Sequence, residues 1–148
     1  MNILALSFSL STSSLDIFLA GCAGPHCENC HNPGSWAFDQ GRPWRSRMTE
    51  IGNKLRVNQW IVKNIFIMGG EPLDQEVSEL QAFLQELQMA IVEQKIWLFT
   101  GKDLVEVPLA VIPYLDFLKT GRHIPALSPG TLRHGVQLSS SNQKIYAL

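Results

Sequence analysis

Apolar residues alternate with small or polar ones through Leu4, Leu6, Phe8 and Leu10, which predicts a strand. The segment "STSS" (11–14) breaks it, and a second apolar run, "LDIFLA" (15–20), ends at Gly21. Residues 31–47 show no period and carry two prolines and two glycines, so they read as irregular. A helix is predicted from about Thr49 to Lys63, with Ile51, Leu55, Gln59 and Val62 at mixed spacing. In "NIFIMGG" (64–70) four apolar residues run into a glycine pair, as a buried parallel strand runs into a tight turn. Val77, Leu80, Leu84, Leu87 and Ile91 then recur at helical spacing, with Asp74 in the capping place and Glu76 in the first turn. "KIWLFTG" (95–101) predicts another strand, "VPLAVIP" (107–113) a short helix, and "YLDFLKTG" (114–121) a further strand.

Strands alternating with helices predict an α/β fold with a mostly parallel sheet and right-handed crossovers. The length, 148 residues, suits one domain spanning 1–148. In such folds ligands sit at the carboxyl ends of strands. The cysteine loop that starts at Gly21, "GGEP" (69–72) and "TG" (100–101) each follow a predicted strand, so three loops are expected to converge on one site.

Composition narrows the function classes. The chain is 45% hydrophobic and 17% charged, too apolar for disorder. A net charge of −1 argues against a chain held to nucleic acid by bulk charge. No apolar run reaches the length of a membrane span. The start, "MNILALSFSL", has no basic n-region and reads as a strand rather than a signal peptide, so a cytoplasmic protein is expected.

That compartment bears on the thiols. The chain has three cysteines, and all lie in "GCAGPHCENCHNPGSW" (21–36). Cytosolic thiols stay reduced, and an odd number cannot pair fully. Cys22, Cys27 and Cys30 sit among Gly, Pro, Asn and His, in a loop rather than a core element. Completed by His26 or His31, they suit a Cys3His zinc site. They equally suit a [4Fe–4S] cluster with one iron free of protein ligands, whereas a passive electron carrier needs four cysteines. Spacing leaves both open. The turn "GGEP" adds exposed backbone at Gly69 and Gly70 and a carboxylate at Glu71, which together suit the ammonium of an amino acid.

These residues, in this order, resemble the radical S-adenosylmethionine (SAM) enzymes. Within them the chain is similar to the activating proteins of anaerobic ribonucleotide reductase. The shared pattern comprises Gly21, Cys22, Cys27, Cys30, Asn32 and Trp36, then Gly41 and Pro43, "GGEPL" (69–73), "IWLFTG" (96–101), and "SSNQ" before a basic residue, Ser140 to Lys144. Two departures stand out. Four residues separate Cys22 from Cys27 where the family pattern has three. "STSS" and "KTG" replace the family's "DGPG"-like and "DG" stretches, which places the expected difference in target recognition.

The resemblance implies a partial, open (β/α) barrel. It implies a [4Fe–4S] cluster on Cys22, Cys27 and Cys30, with SAM chelating the remaining iron. Gly69, Gly70 and Glu71 would hold the SAM amino group, Asn29 and His31 would lie by the adenine, and Ser140 and Asn142 would reach ribose or carboxylate. The implied partners are the anaerobic ribonucleoside-triphosphate reductase, a glycyl radical protein, and a flavodoxin-type electron donor, with no nucleic acid or membrane. The alternatives are activation of another glycyl radical enzyme, action on a free metabolite, or, from another class, a Cys3His zinc module that binds a protein. Trp36 and Trp44 read as packing, and His123 and His134 as surface or structural. Arg42, Arg45 and Arg47 read as a solvated basic face before they read as ligands of a carboxylate.

Overall fold

A computed structural model describes residues 1–148. Strands β1 (Asn2–Ser9) and β2 (Ser14–Leu19) form an antiparallel hairpin. A two-residue strand β3 (Arg42–Pro43) precedes helix α1 (Trp44–Val57), and β4 (Asn64–Gly69) follows it. Helix α2 (Val77–Ala90) leads to β5 (Lys95–Phe99) and then β6 (Phe117–Thr120). A small hairpin, β7 (Leu132–Arg133) with β8 (Val136–Gln137), precedes the last strand, β9 (Lys144–Ala147). The main sheet has seven strands in the order β3-β1-β2-β4-β5-β6-β9. Its middle, β2-β4-β5-β6, is parallel, while β1, β3 and β9 pair antiparallel at the margins. The sheet is therefore mixed and open, with a parallel centre where a mostly parallel one was expected.

The crossovers lie on one face. Ile65 and Ile67 of β4, with Ile96 and Leu98 of β5, join Trp44, Ile51 and Leu55 of α1 and Leu80, Phe83, Leu84 and Leu87 of α2 in a single buried cluster. Trp44 meets Phe83 edge-on at 5.6 Å between ring centroids. Phe83 is fully buried, so Phe83→Ala is expected to cost about 3–5 kcal/mol. The alternate residues of the same strands, Phe66 and Trp97, face the other way and pack with Val136 of β8.

Three sequence expectations change here. Helix α1 starts at Trp44, immediately after Pro43, and stops at Val57 rather than running from 49 to 63. Asn58 ends it by donating its side chain to the Lys54 carbonyl at 2.8 Å. The short helix expected at 107–113 is reduced to turns and a single 3-10 turn, Ile112–Tyr114, at its end. Pro108 lacks the N–H that a longer helix through the segment would use, whereas Pro113 sits in the first turn of the 3-10 stretch, where none is needed. Asp74 does not cap α2, whose N-cap residue is Glu76.

Candidate functional site

The three loops meet. Cys22, Cys27 and Cys30, Gly69 to Glu71, and Thr100 with Gly101 line one cleft of about 210 Å³. It lies where β2, β4, β5 and β6 end, the place a parallel sheet reserves for ligands.

The glycine pair brings the "GGEP" turn onto the cysteine loop. Gly69 has φ +113°, and a Cβ there would stand 2.5 Å from the Leu19 backbone. A Cβ on Gly70 would overlap the Gly21 carbonyl. The close approach these glycines permit is thus made by the chain itself. Glu71 N–H donates to Gly21 O at 2.7 Å and closes the contact. On its other side the cysteine loop is braced by Gly21 N–H to Ser35 O at 2.7 Å and Cys22 N–H to Trp36 O at 3.0 Å.

The Glu71 carboxylate is buried and joins two loops. Its Oε1 accepts from Thr100 Oγ1 at 2.6 Å and from Leu73 N–H at 3.0 Å. Its Oε2 accepts from Gly101 N–H at 2.7 Å. An ionised carboxylate offers roughly four acceptor positions, so one remains for a ligand. Asp74 makes a second tie. It accepts from Ala23 N–H at 2.7 Å and pairs with Lys102 at 2.7 Å, joining the cysteine loop to the turn after β5. Burial works against the Lys102 charge, but the Asp74 hydrogen bond carries its pKa above the ordinary lysine value.

All three thiols are free and half-buried. Burial pushes the Cys22 thiol up, and the Asp74 and Glu71 charges add to that, against a backbone hydrogen bond from Gly24. No three His, Cys, Asp or Glu side chains gather round a single point as one metal ion needs. A zinc ion draws its ligands to about 2.0–2.3 Å. Both candidate histidines are placed elsewhere. His26 stacks on Trp36 with centroids 3.7 Å apart and bonds Cys22 O through Nε2 at 3.0 Å. His31 is exposed, 6.3 Å from the ring of His123. A four-iron cube takes its thiolates at separate corners, and all three cysteines line the one cleft.

The sequence profile of the 4Fe-4S single cluster domain family matches residues 13–146. An anaerobic ribonucleoside-triphosphate reductase-activating protein of Haemophilus influenzae is 30% identical over 135 residues, covering 88% of this chain and 84% of that protein. The protein of the same name from Vibrio cholerae is 30% identical over 138 residues, covering 88% and 84%. That of Escherichia coli K12 is 28% identical over 137 residues, covering 89% and 86%. The chain belongs to the family of anaerobic ribonucleoside-triphosphate reductase-activating proteins. No solved structure matches it.

Membership of that activating-protein family brings an iron–sulfur cluster to a chain whose every cysteine lines the cleft. Four expected ligand residues do not line it. Asn29 is exposed, with φ +54°, and His31 is turned toward His123. Ser140 is fully buried, and its hydroxyl accepts from Ile124 N–H at 3.2 Å. Asn142 donates to Arg122 O at 2.8 Å. The last two brace the turn after β6, and Asn142 lines an adjoining cavity that shares Asp74, Lys102 and Arg122 with the cleft. Conversely, Trp36 and His123 do line the cleft, as do Lys119 and Arg122, none of which was expected there. Lys119 carried a signal: it shares the inner face of β6 with Phe117, two residues before.

Proposed function

We propose that the chain, as one domain folded into a partial, open (β/α) barrel, is a radical SAM activase of the anaerobic ribonucleoside-triphosphate reductase. Cys22, Cys27 and Cys30 would hold a [4Fe–4S] cluster. The observation that carries this reading is the meeting of the chain's only three cysteines with the "GGEP" and "TG" turns in one cleft. Held there, the cluster would supply the electron that splits SAM into methionine and a 5′-deoxyadenosyl radical, and that radical would take a hydrogen atom from a glycine of the reductase. The rest is the work of this chain's residues. Glu71, held rigid by Thr100 and Gly101, offers its remaining acceptor position to the SAM ammonium. The apolar side chains of Trp36, Met68 and Phe99 limit water in the cleft.

A flavodoxin-type protein is the proposed electron donor, and the cytoplasm the proposed location. No helix is long and apolar enough to cross a membrane. The test is anaerobic purification with iron, sulfide and zinc analysis and an electron paramagnetic resonance (EPR) spectrum of the reduced protein. The expected result is one cluster per chain whose spectrum changes when SAM is added. Stoichiometric zinc without iron would overturn the reading.

A further inference from the structure

The cleft occupies one end of the sheet, and the opposite end is apolar. The turn before β2, the loop between α1 and β4, and the loop between α2 and β5 all lie where the parallel strands begin. On them Leu10 is 81% and Trp60 82% exposed, and Ile61 and Val92 are also exposed, beside Val57 at the end of α1. Single exposed apolar residues are ordinary, but a cluster drawn from three loops marks an interaction surface. Leu10 and Ile61 line a cavity of about 200 Å³ with Phe8 and Val62. Trp60 and Val92 line a second, of about 130 Å³, whose wall includes Lys63 and Glu93. Trp60 and Ile61 are consecutive, so the two cavities belong to one surface.

The surface is held rigid by the backbone. Lys63 N–H donates to Ser13 O at 2.8 Å, and Lys95 N–H donates to Lys63 O at 2.9 Å. Asn64 Nδ2 donates to Thr12 O at 2.8 Å. The three loops therefore present their side chains from one frame, which lowers the ordering cost of binding.

Two features say what covers it. Trp60 projects beside the larger cavity, so a knob and an apolar hole lie on the same surface. A cavity of about 150 Å³ lined by apolar side chains accepts benzene, so one of about 200 Å³ admits an indole ring. The flanking charges are also self-complementary. Lys63 and Glu93 are exposed, opposite in sign and in none of the six ion pairs. A two-fold axis sets each member of such a pair against its opposite in a second copy, as an isologous interface requires. We propose that this end is the interface of a two-fold homodimer. Trp60 of each copy enters the cavity lined by Phe8, Leu10 and Ile61 of the other, and Lys63 faces the partner's Glu93. The two clefts then open at opposite ends of the dimer, and the interface stands whatever the cleft binds.

The test is sedimentation equilibrium of the full chain, reconstituted without oxygen and kept in a thiol reductant so that no disulfide-linked pair is counted. The wild type is expected to be dimeric at micromolar concentration. Trp60→Glu weakens the dimer by about thirtyfold or more. Lys63→Glu and Glu93→Lys each weaken it less, and the two together restore it, because the double exchange rebuilds the pair with its signs reversed. All three side chains are exposed, so circular dichroism should show an intact fold; should Trp60→Glu lose it, the charge exchange decides. A wild type monomeric at about 0.1 mM, a dimer that Trp60→Glu leaves intact, or a double variant that does not restore association would overturn the interface. A monomer that binds the reductase through Trp60 would also overturn it, and would give the surface to that protein.

Discussion

Thr100 donates its hydroxyl to the Glu71 carboxylate at 2.6 Å, linking the first residue after β5 to the turn after β4. Both groups are buried, so the bond forms away from bulk water. It makes the "GGEP" and "TG" turns one unit, and Glu71 N–H extends that unit to the cysteine loop.

Thr100→Val keeps the shape of the side chain and removes the donor. It is expected to lower stability by about 1–3 kcal/mol, because one carboxylate oxygen loses its strongest partner in a buried place. Urea unfolding would show this as a lower midpoint with an unchanged slope. SAM affinity should fall in the same variant.

Gly70→Ala places a methyl group against the Gly21 carbonyl, next to Cys22. The turn and the cysteine loop must then separate. The expected result is loss of cluster as well as of SAM binding, read as reduced iron and sulfide after anaerobic reconstitution. Full cluster content in Gly70→Ala would contradict the role given to the glycine pair.

Asp74→Ala frees Ala23 N–H and leaves Lys102 without its carboxylate. The cysteine loop loses one of its few ties to the sheet. Loss of iron to a chelator is expected to be faster in this variant, with the fold intact by circular dichroism.

Away from the cleft, Glu79 accepts from Trp44 Nε1 at 2.8 Å and from Arg45 at 3.0 Å. The Trp44 hydrogen bond, then the Arg45 contact, lower its pKa to about 2. A depressed carboxylate stabilises the fold above its unfolded value of about 4.5, and the contribution is lost as pH falls toward 2. The side chain is a third exposed, so solvent screening keeps the effect modest. Urea midpoints should separate wild type from Glu79→Gln at about pH 6, and the gap should shrink below about pH 4.5 and close only as pH falls through about 2.

What could be read in advance follows from what each element depends on. β4, α2 and β5 rest on local periodicity, and Ile65, Leu80, Leu84 and Ile96 announce it. Helix α1 was harder, because its buried residues Trp44 and Arg47 include a charged one and its start is hidden behind a proline. β9 depends on pairing with β6 across the chain, which no local pattern records. The three loops of the site could be placed because each follows a strand. Arg122 could not, since a basic residue reads as solvated until its neighbours are known, and Lys119 only through the strand face it shares with Phe117. Asn142 was singled out, but its partner, the Arg122 backbone, is a tertiary fact.

The most direct measurement is the EPR spectrum of the anaerobic ribonucleoside-triphosphate reductase after incubation, without oxygen, with the reduced chain and SAM. The account predicts the doublet of a glycyl radical on the reductase, absent when Cys22, Cys27 or Cys30 is replaced by Ala. Efficient cleavage of SAM with no radical on the reductase, together with turnover of a free metabolite, would contradict it.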